Sequence, residues 1–177
     1  MKRCLWCNLN NPLYVEYHDK EWGVLNLDDN YLFEMLILEM FQAGLSWECI
    51  LNKRENFKRA YDNFAIDKII KYDDVKKEEL YNNKGIIRNK LKINASINNS
   101  AIFKEIQKEY GSFSKYLLSF IHWIPNIWNW SYNISTFWLH IKRFDKTRYE
   151  IYWFNNYIFL SSSNRHNKLT RNRMLSS

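Results

Sequence analysis

The sequence predicts an all-α fold. Three observations carry that prediction. Glycine and proline are scarce, four and two in 177 residues. Apolar residues recur at three- and four-residue spacing in successive segments, and several of those segments open on a capping residue. A turn-rich β architecture would need many more chain breakers. At this length, with 46% hydrophobic residues, the chain can bury one core shared by at most two lobes.

Residues 1–28 read as irregular, held by aromatics and by a metal if one binds. From about Asn30 to Ala43, Leu32, Phe33, Leu36, Met40 and Ala43 keep helical spacing, and Gly44 is the stop. Ser46 caps a second helix through about Asn63, with Ile50, Leu51, Phe57 and Tyr61 toward the core. A short helix covers Ile66–Lys71, and Asp73 or Asp74 opens another that ends near Asn83. Gly85-Ile86-Ile87-Arg88 then leads into a long helix to about Tyr110, closed by Gly111. Ser112 caps a last helix, Phe113–Ile121.

No apolar run approaches the ~20 residues a membrane span needs, so no membrane partner is expected. Met1-Lys2-Arg3-Cys4 lacks the apolar stretch of a signal peptide. Three cysteines without such a signal point to a reducing cytoplasm. The net charge of +7 is unevenly placed: residues 138–177 hold eight Lys and Arg against two Asp and Glu, whereas residues 1–137 hold 18 against 17. Charge alone therefore does not establish a nucleic-acid partner.

Four groupings carry chemistry. Cys4-x-x-Cys7 with His18 offers thiolate and imidazole, zinc's usual ligands, but a structural site needs four; equally, these are two free cysteines and a surface histidine. Glu39 is flanked by Met35, Leu36, Ile37, Leu38, Met40 and Phe41. It faces either an apolar interior, where only a cationic or donor-rich ligand offsets its burial, or the helix's wet side. Tyr14, Tyr17, Trp22 and Trp47 supply flat faces for a stacked base, or core packing. Gly85-Ile86-Ile87-Arg88 between two helices presents backbone N–H groups to a phosphate, with Arg88 and Lys90 adding charge, or is an ordinary helical hairpin.

Together these residues resemble the bacterial 3-methyladenine-DNA glycosylase I family, within the helix-hairpin-helix glycosylases. The resemblance rests on Arg3-Cys4-x-Trp6, Pro12-Leu13-Tyr14, Tyr17-His18-Asp19-x-Glu21-Trp22-Gly23-Val24, Leu32-Phe33-Glu34-Met35, Gln42-Ala43-Gly44-Leu45-Ser46-Trp47, Lys53-Arg54-Glu55-Asn56, Gly85-Ile86-Ile87-Arg88 and Lys92-Ile93. It spans roughly residues 2–120.

The resemblance implies a helix-hairpin-helix bundle with a zinc-associated N-terminal segment. It implies a monomeric, monofunctional enzyme that hydrolyses the glycosidic bond of 3-methyladenine in alkylated double-stranded DNA. Glu39 would be catalytic, accepting hydrogen bonds from the flipped base. Tyr17 and Trp47 would sandwich that base, with Tyr14 and Trp22 shaping the pocket. Gly85, Ile86, Ile87, Arg88 and Lys90 would hold the DNA backbone. Cys4 and His18 would be two of four ligands to a structural zinc, the others being a histidine and a cysteine near the family's C-terminus; Cys7 is not an expected ligand.

Those last two ligands are absent from this chain. Beyond Gly111 there is no cysteine, and His122, His140 and His166 lack the family's setting. Five of eight tryptophans crowd into Trp123–Trp153, without a clean helical or strand period. We therefore divide the chain into a glycosylase domain, 1–120, and an aberrant tail, 121–177, expected to be out of frame or disordered. Shifting the codons by one nucleotide makes Trp153-Phe154 give glycine and Met174-Leu175 give cysteine. The same shift lets Thr170 give histidine and Lys168 asparagine. A defective glycosylase product is thus one reading, and a non-catalytic zinc-dependent nucleic-acid-binding module is the alternative; release of 3-methyladenine separates the enzyme from the module.

Overall fold

The structure, a computed structural model, describes residues 3–119. These form eight α-helices and one 3-10 turn, with no strand among the described residues, as the composition predicts. The tail from residue 121, including the end of the expected last helix and His122, His140 and His166, lies outside the described residues.

Helix α2, Asp29–Gln42, is the hub. Phe33, Leu36, Ile37, Leu38, Met40 and Phe41 are all buried, so the helix is covered on most sides. Burying side chains of this size contributes about 1.5–3 kcal/mol each. Its neighbours are α3 (Trp47–Leu51), α7 (Lys90–Tyr110) and α8 (Phe113–Ser119). Phe33 meets Phe103 of α7 edge-on at 5.1 Å, and Phe103 stacks on Phe113 of α8 at 3.9 Å. Asp29 fastens α8 directly, accepting from the Phe113 and Ser114 amides at 2.8 and 2.9 Å. At the other end of α2, the buried Lys92 Nζ donates to the carbonyls of Phe41 (2.9 Å) and Ala43 (2.6 Å). A cation there satisfies carbonyls the helix itself cannot.

Two local expectations are corrected. Residues 1–28 are not irregular throughout: α1 spans Pro12–Lys20. Its only buried residue is His18, so it lacks the apolar stripe that marks a core helix. The signal was instead Asn11 as N-cap, accepting from the Leu13 amide, with Pro12 at the first helical position. The helix expected from Ser46 to Asn63 is broken into α3, α4 (Arg54–Ala60) and a 3-10 turn, Asp62–Phe64. Lys53, at φ −104 and ψ 0, leaves helical geometry between the first two. Asp62, Asn63 and Phe64 take positive φ, held by the Tyr72 hydroxyl on Asp62 (2.7 Å) and by burial of Phe64.

The remaining elements are α5 (Ile66–Ile69), α6 (Asp74–Asn82) and the α6–α7 hairpin. Asp73 caps α6 and Asn89 caps α7, whose C-terminus closes on Gly111 at φ 82.

Candidate functional site

The site forms where α1, α2 and α3 meet. Asn11 docks α1 onto α3 by donating to Glu48 and Asn52, both at 2.9 Å, and Asn8 adds a 2.8 Å bond to Glu48. This docking brings Tyr17 of α1 against Trp47, which opens α3 behind its Ser46 cap. Their ring centroids lie 5.3 Å apart at 55°. The rings thus touch each other, and a flat base could enter between them only if they part to about 7 Å, twice a carbon contact distance.

Glu39 occupies a third option between the two read from sequence. It shares a half-buried row of α2 with Met35 and Gln42, at the border of core and solvent. The residue keeps some exposed surface, yet desolvation by the protein packed around its carboxyl pushes the pKa from 4.5 to about 7. Among the described residues the carboxyl has no hydrogen-bond or ion-pair partner. Tyr17 stays a phenol far above its ordinary pKa, first through desolvation and then through the Glu39 charge nearby. Beside it, Trp47 Nε1 is a buried donor with no partner among the described residues. One acceptor and one donor are therefore left without a partner among the described residues.

Tyr14, one turn before Tyr17 on α1, and Trp22 gather around Trp6, a residue given no role from sequence. Trp6 contacts Tyr14 at 5.4 Å, His18 at 5.2 Å and Trp22 at 5.1 Å, while Trp22 stacks on His18 at 5.6 Å.

The metal candidates do come together. His18 Nε2 faces Cys4, accepting from its amide at 3.2 Å, while Nδ1 lies 2.9 Å from Asp19, itself gripped by Arg3. A carboxylate on one ring nitrogen is the support zinc-ligating histidines favour, while the other nitrogen is here occupied by the Cys4 backbone N–H. The pair fits half of a tetrahedral site; no group of three potential ligands occurs among the described residues. Cys7 is buried and its thiol donates to the Tyr14 carbonyl at 3.8 Å. A depression of about 220 Å³ lined by Arg3, Cys4, Leu5, Cys7 and Leu9 lies on this side, away from Glu39.

The hairpin is pinned from α4 and the turn before it. Lys53 Nζ and Asn56 Nδ2 donate to the Gly85 carbonyl at 3.3 and 3.2 Å. A Cβ on Gly85 would meet Asn83 Oδ1 at 3.0 Å and Asn56 Cβ at 3.2 Å, so any larger residue would press these side chains aside by a few tenths of an ångström. The Gly85 and Ile86 amides are already taken by Asn83. Ile86 is buried and anchors the hairpin to the core, whereas Arg88 and Lys90 are exposed, Lys90 lying 4.8 Å over the Tyr81 ring.

Sequence reasoning also missed an ion-pair network. Arg54 Nη1 binds the Glu21 carboxylate at 2.7 and 2.9 Å and Nε binds Glu34 at 2.6 Å, while the Tyr31 hydroxyl donates to Glu21 at 3.2 Å.

A family model described as methyladenine glycosylase matches residues 6–137. DNA-3-methyladenine glycosylase 1 of Escherichia coli (strain K12) is 39% identical over 127 residues, covering 72% of this chain and 67% of that protein. The Haemophilus influenzae DNA-3-methyladenine glycosylase is 37% identical over 123 residues, covering 70% and 66%. A crystal structure of 3-methyladenine DNA glycosylase I superposes with TM-score 0.65 at 40% identity, over 70% of this chain and 68% of that one. The alignments thus span roughly two thirds of each relative. The chain belongs to the methyladenine glycosylase family.

Proposed function

We propose that the chain is a monofunctional DNA glycosylase that hydrolyses the N-glycosidic bond of 3-methyladenine in alkylated double-stranded DNA. The observation that carries this reading is a desolvated Glu39 carboxyl whose charge reaches Tyr17, with the buried Trp47 N–H beside that ring, both without a hydrogen-bond partner among the described residues.

N3-methylation makes the adenine cationic and a good leaving group. The enzyme's task is to extract, hold and recognise it. Extrusion from the duplex costs a few kcal/mol. Stacking on Tyr17 or Trp47 returns ~1–3 kcal/mol. A hydrogen bond to the Glu39 carboxylate adds about 1.5–3 kcal/mol, enough together to offset the extrusion. Ordinary adenine brings no positive charge to Glu39 and leaves its burial uncompensated. When the bond to the sugar C1′ breaks, the base keeps the electron pair and leaves neutral; water attacks C1′ and releases one proton.

The buried Lys92 is committed to two carbonyls, which suits hydrolysis without a Schiff base. The α6–α7 hairpin, with Arg88 and Lys90, contacts the duplex backbone without reading sequence. Cys4 and His18 would hold a structural zinc as two of its four ligands, and zinc bound there would brace the N-terminal segment. The protein acts as a monomer. The matching test incubates it with methylated duplex DNA. Free 3-methyladenine with an uncut abasic strand is expected; strand cleavage without released base contradicts the reading.

A further inference from the structure

We propose that Arg54 is a positioning residue of the pocket, its guanidinium fork fixing how Tyr17 meets Trp47. The proposal rests on the base-site reading above. Glu21 and Trp22 both donate their amides to the Tyr17 carbonyl, at 2.9 and 2.8 Å, so the Glu21 side chain is a handle on the end of α1 where Tyr17 sits. Arg54 holds that handle. Its Nε holds Glu34, five residues before Glu39 on α2. Arg54 itself opens α4, just beyond the helix that Trp47 begins. One side chain therefore ties together the three elements that carry Tyr17, Glu39 and Trp47.

The fork matters as well as the charge. Two carboxylates approach from different directions, and a planar guanidinium can meet both where an ammonium is a single point. The three side chains are 14, 24 and 12% exposed for Arg54, Glu21 and Glu34, so water does little to replace a lost arm. Lys58 already stands 3.6 Å from Glu34, and its charge reaches no further into the network.

Truncating Arg54 would leave Glu21 with only the Tyr31 hydroxyl and Glu34 with only the more distant Lys58, a loss of stability that would confuse the test. Arg54→Lys keeps the charge and removes the fork. A cycle with Tyr17→Ala separates positioning from general stability. With Tyr17 present, Arg54→Lys should lower kcat/KM for 3-methyladenine release about tenfold; with Tyr17→Ala in place it should change it less than about twofold. Equal losses in both backgrounds, or no loss in either, overturn the proposal. Independently of activity, Arg54→Lys should move the Tyr17 ring-proton signals that Trp47 shifts, with circular dichroism unchanged; unmoved signals overturn the proposal. An unaltered chain that releases no base would instead overturn the base-site reading, and the ring-proton measurement would still decide the role of Arg54.

Discussion

Tyr17 and Trp47 pack ring on ring at 5.3 Å, yet the Trp47 indole N–H beside this contact points at no partner among the described residues. A buried donor left unpaired costs about 1–3 kcal/mol, and the contact persists without repairing that loss. The arrangement suits a pocket whose hydrogen-bond partner arrives with the ligand.

Trp47→Phe keeps an aromatic face and removes that donor. Affinity for free 3-methyladenine, followed by calorimetry, should fall about tenfold, the worth of one hydrogen bond. Unchanged affinity would show that the N–H does not serve the ligand.

Glu39 makes the stability depend on pH. Its carboxyl titrates near 7 in the folded chain against 4.5 when free. Below 4.5 both states hold the proton; between 4.5 and 7 only the folded state does; above 7 neither does. Stability from this group therefore falls as pH rises through that window, by about 3 kcal/mol in all. Glu39→Gln should match the unaltered chain below pH 4.5 and exceed it by about that amount above pH 7 in urea unfolding. A difference independent of pH would refute the assigned burial.

Gly85→Ala tests the hairpin. The added methyl would press on Asn56, which holds the Gly85 carbonyl, at a cost of ~1–3 kcal/mol. Duplex affinity in fluorescence anisotropy should drop, while binding of the free base stays unchanged. A parallel loss of both would mean that the hairpin shapes the pocket rather than the DNA contact.

With Cys4 and His18 the one thiol–imidazole pair proposed for zinc among the described residues, purified protein should hold zinc below one equivalent, and the gene should read open in the shifted frame from about residue 121. Stoichiometric zinc in metal analysis, or an early stop codon in that frame, would contradict this.

Much of this architecture is legible in the residues themselves. The caps Ser46, Asp73 and Asn89 and the stop at Gly111 mark helix ends through local chemistry, and the apolar spacing of α2 identifies the core. What escapes is whatever depends on distant partners. Arg54 bonds to residues 20 and 33 positions away, and no local pattern announces such a pairing. Helix α1 escapes because docking through Asn11, rather than an apolar stripe, holds it in place. Glu39, Tyr17 and Trp47 were legible as candidates, but only the packing of α1, α2 and α3 shows that the two rings touch and that the carboxyl has no hydrogen-bond partner among the described residues.

The central claim is that a carboxylate at Glu39 lets this pocket excise 3-methyladenine. The most direct measurement compares the unaltered chain with Glu39→Gln on methylated duplex DNA, quantifying released bases by chromatography and duplex binding in parallel. The account predicts release of 3-methyladenine by the unaltered chain. It predicts a drop of about a hundredfold in Glu39→Gln, the scale of losing one preorganised electrostatic contact, with duplex binding nearly preserved. Equal release by both proteins, or equal losses of release and binding, would contradict it.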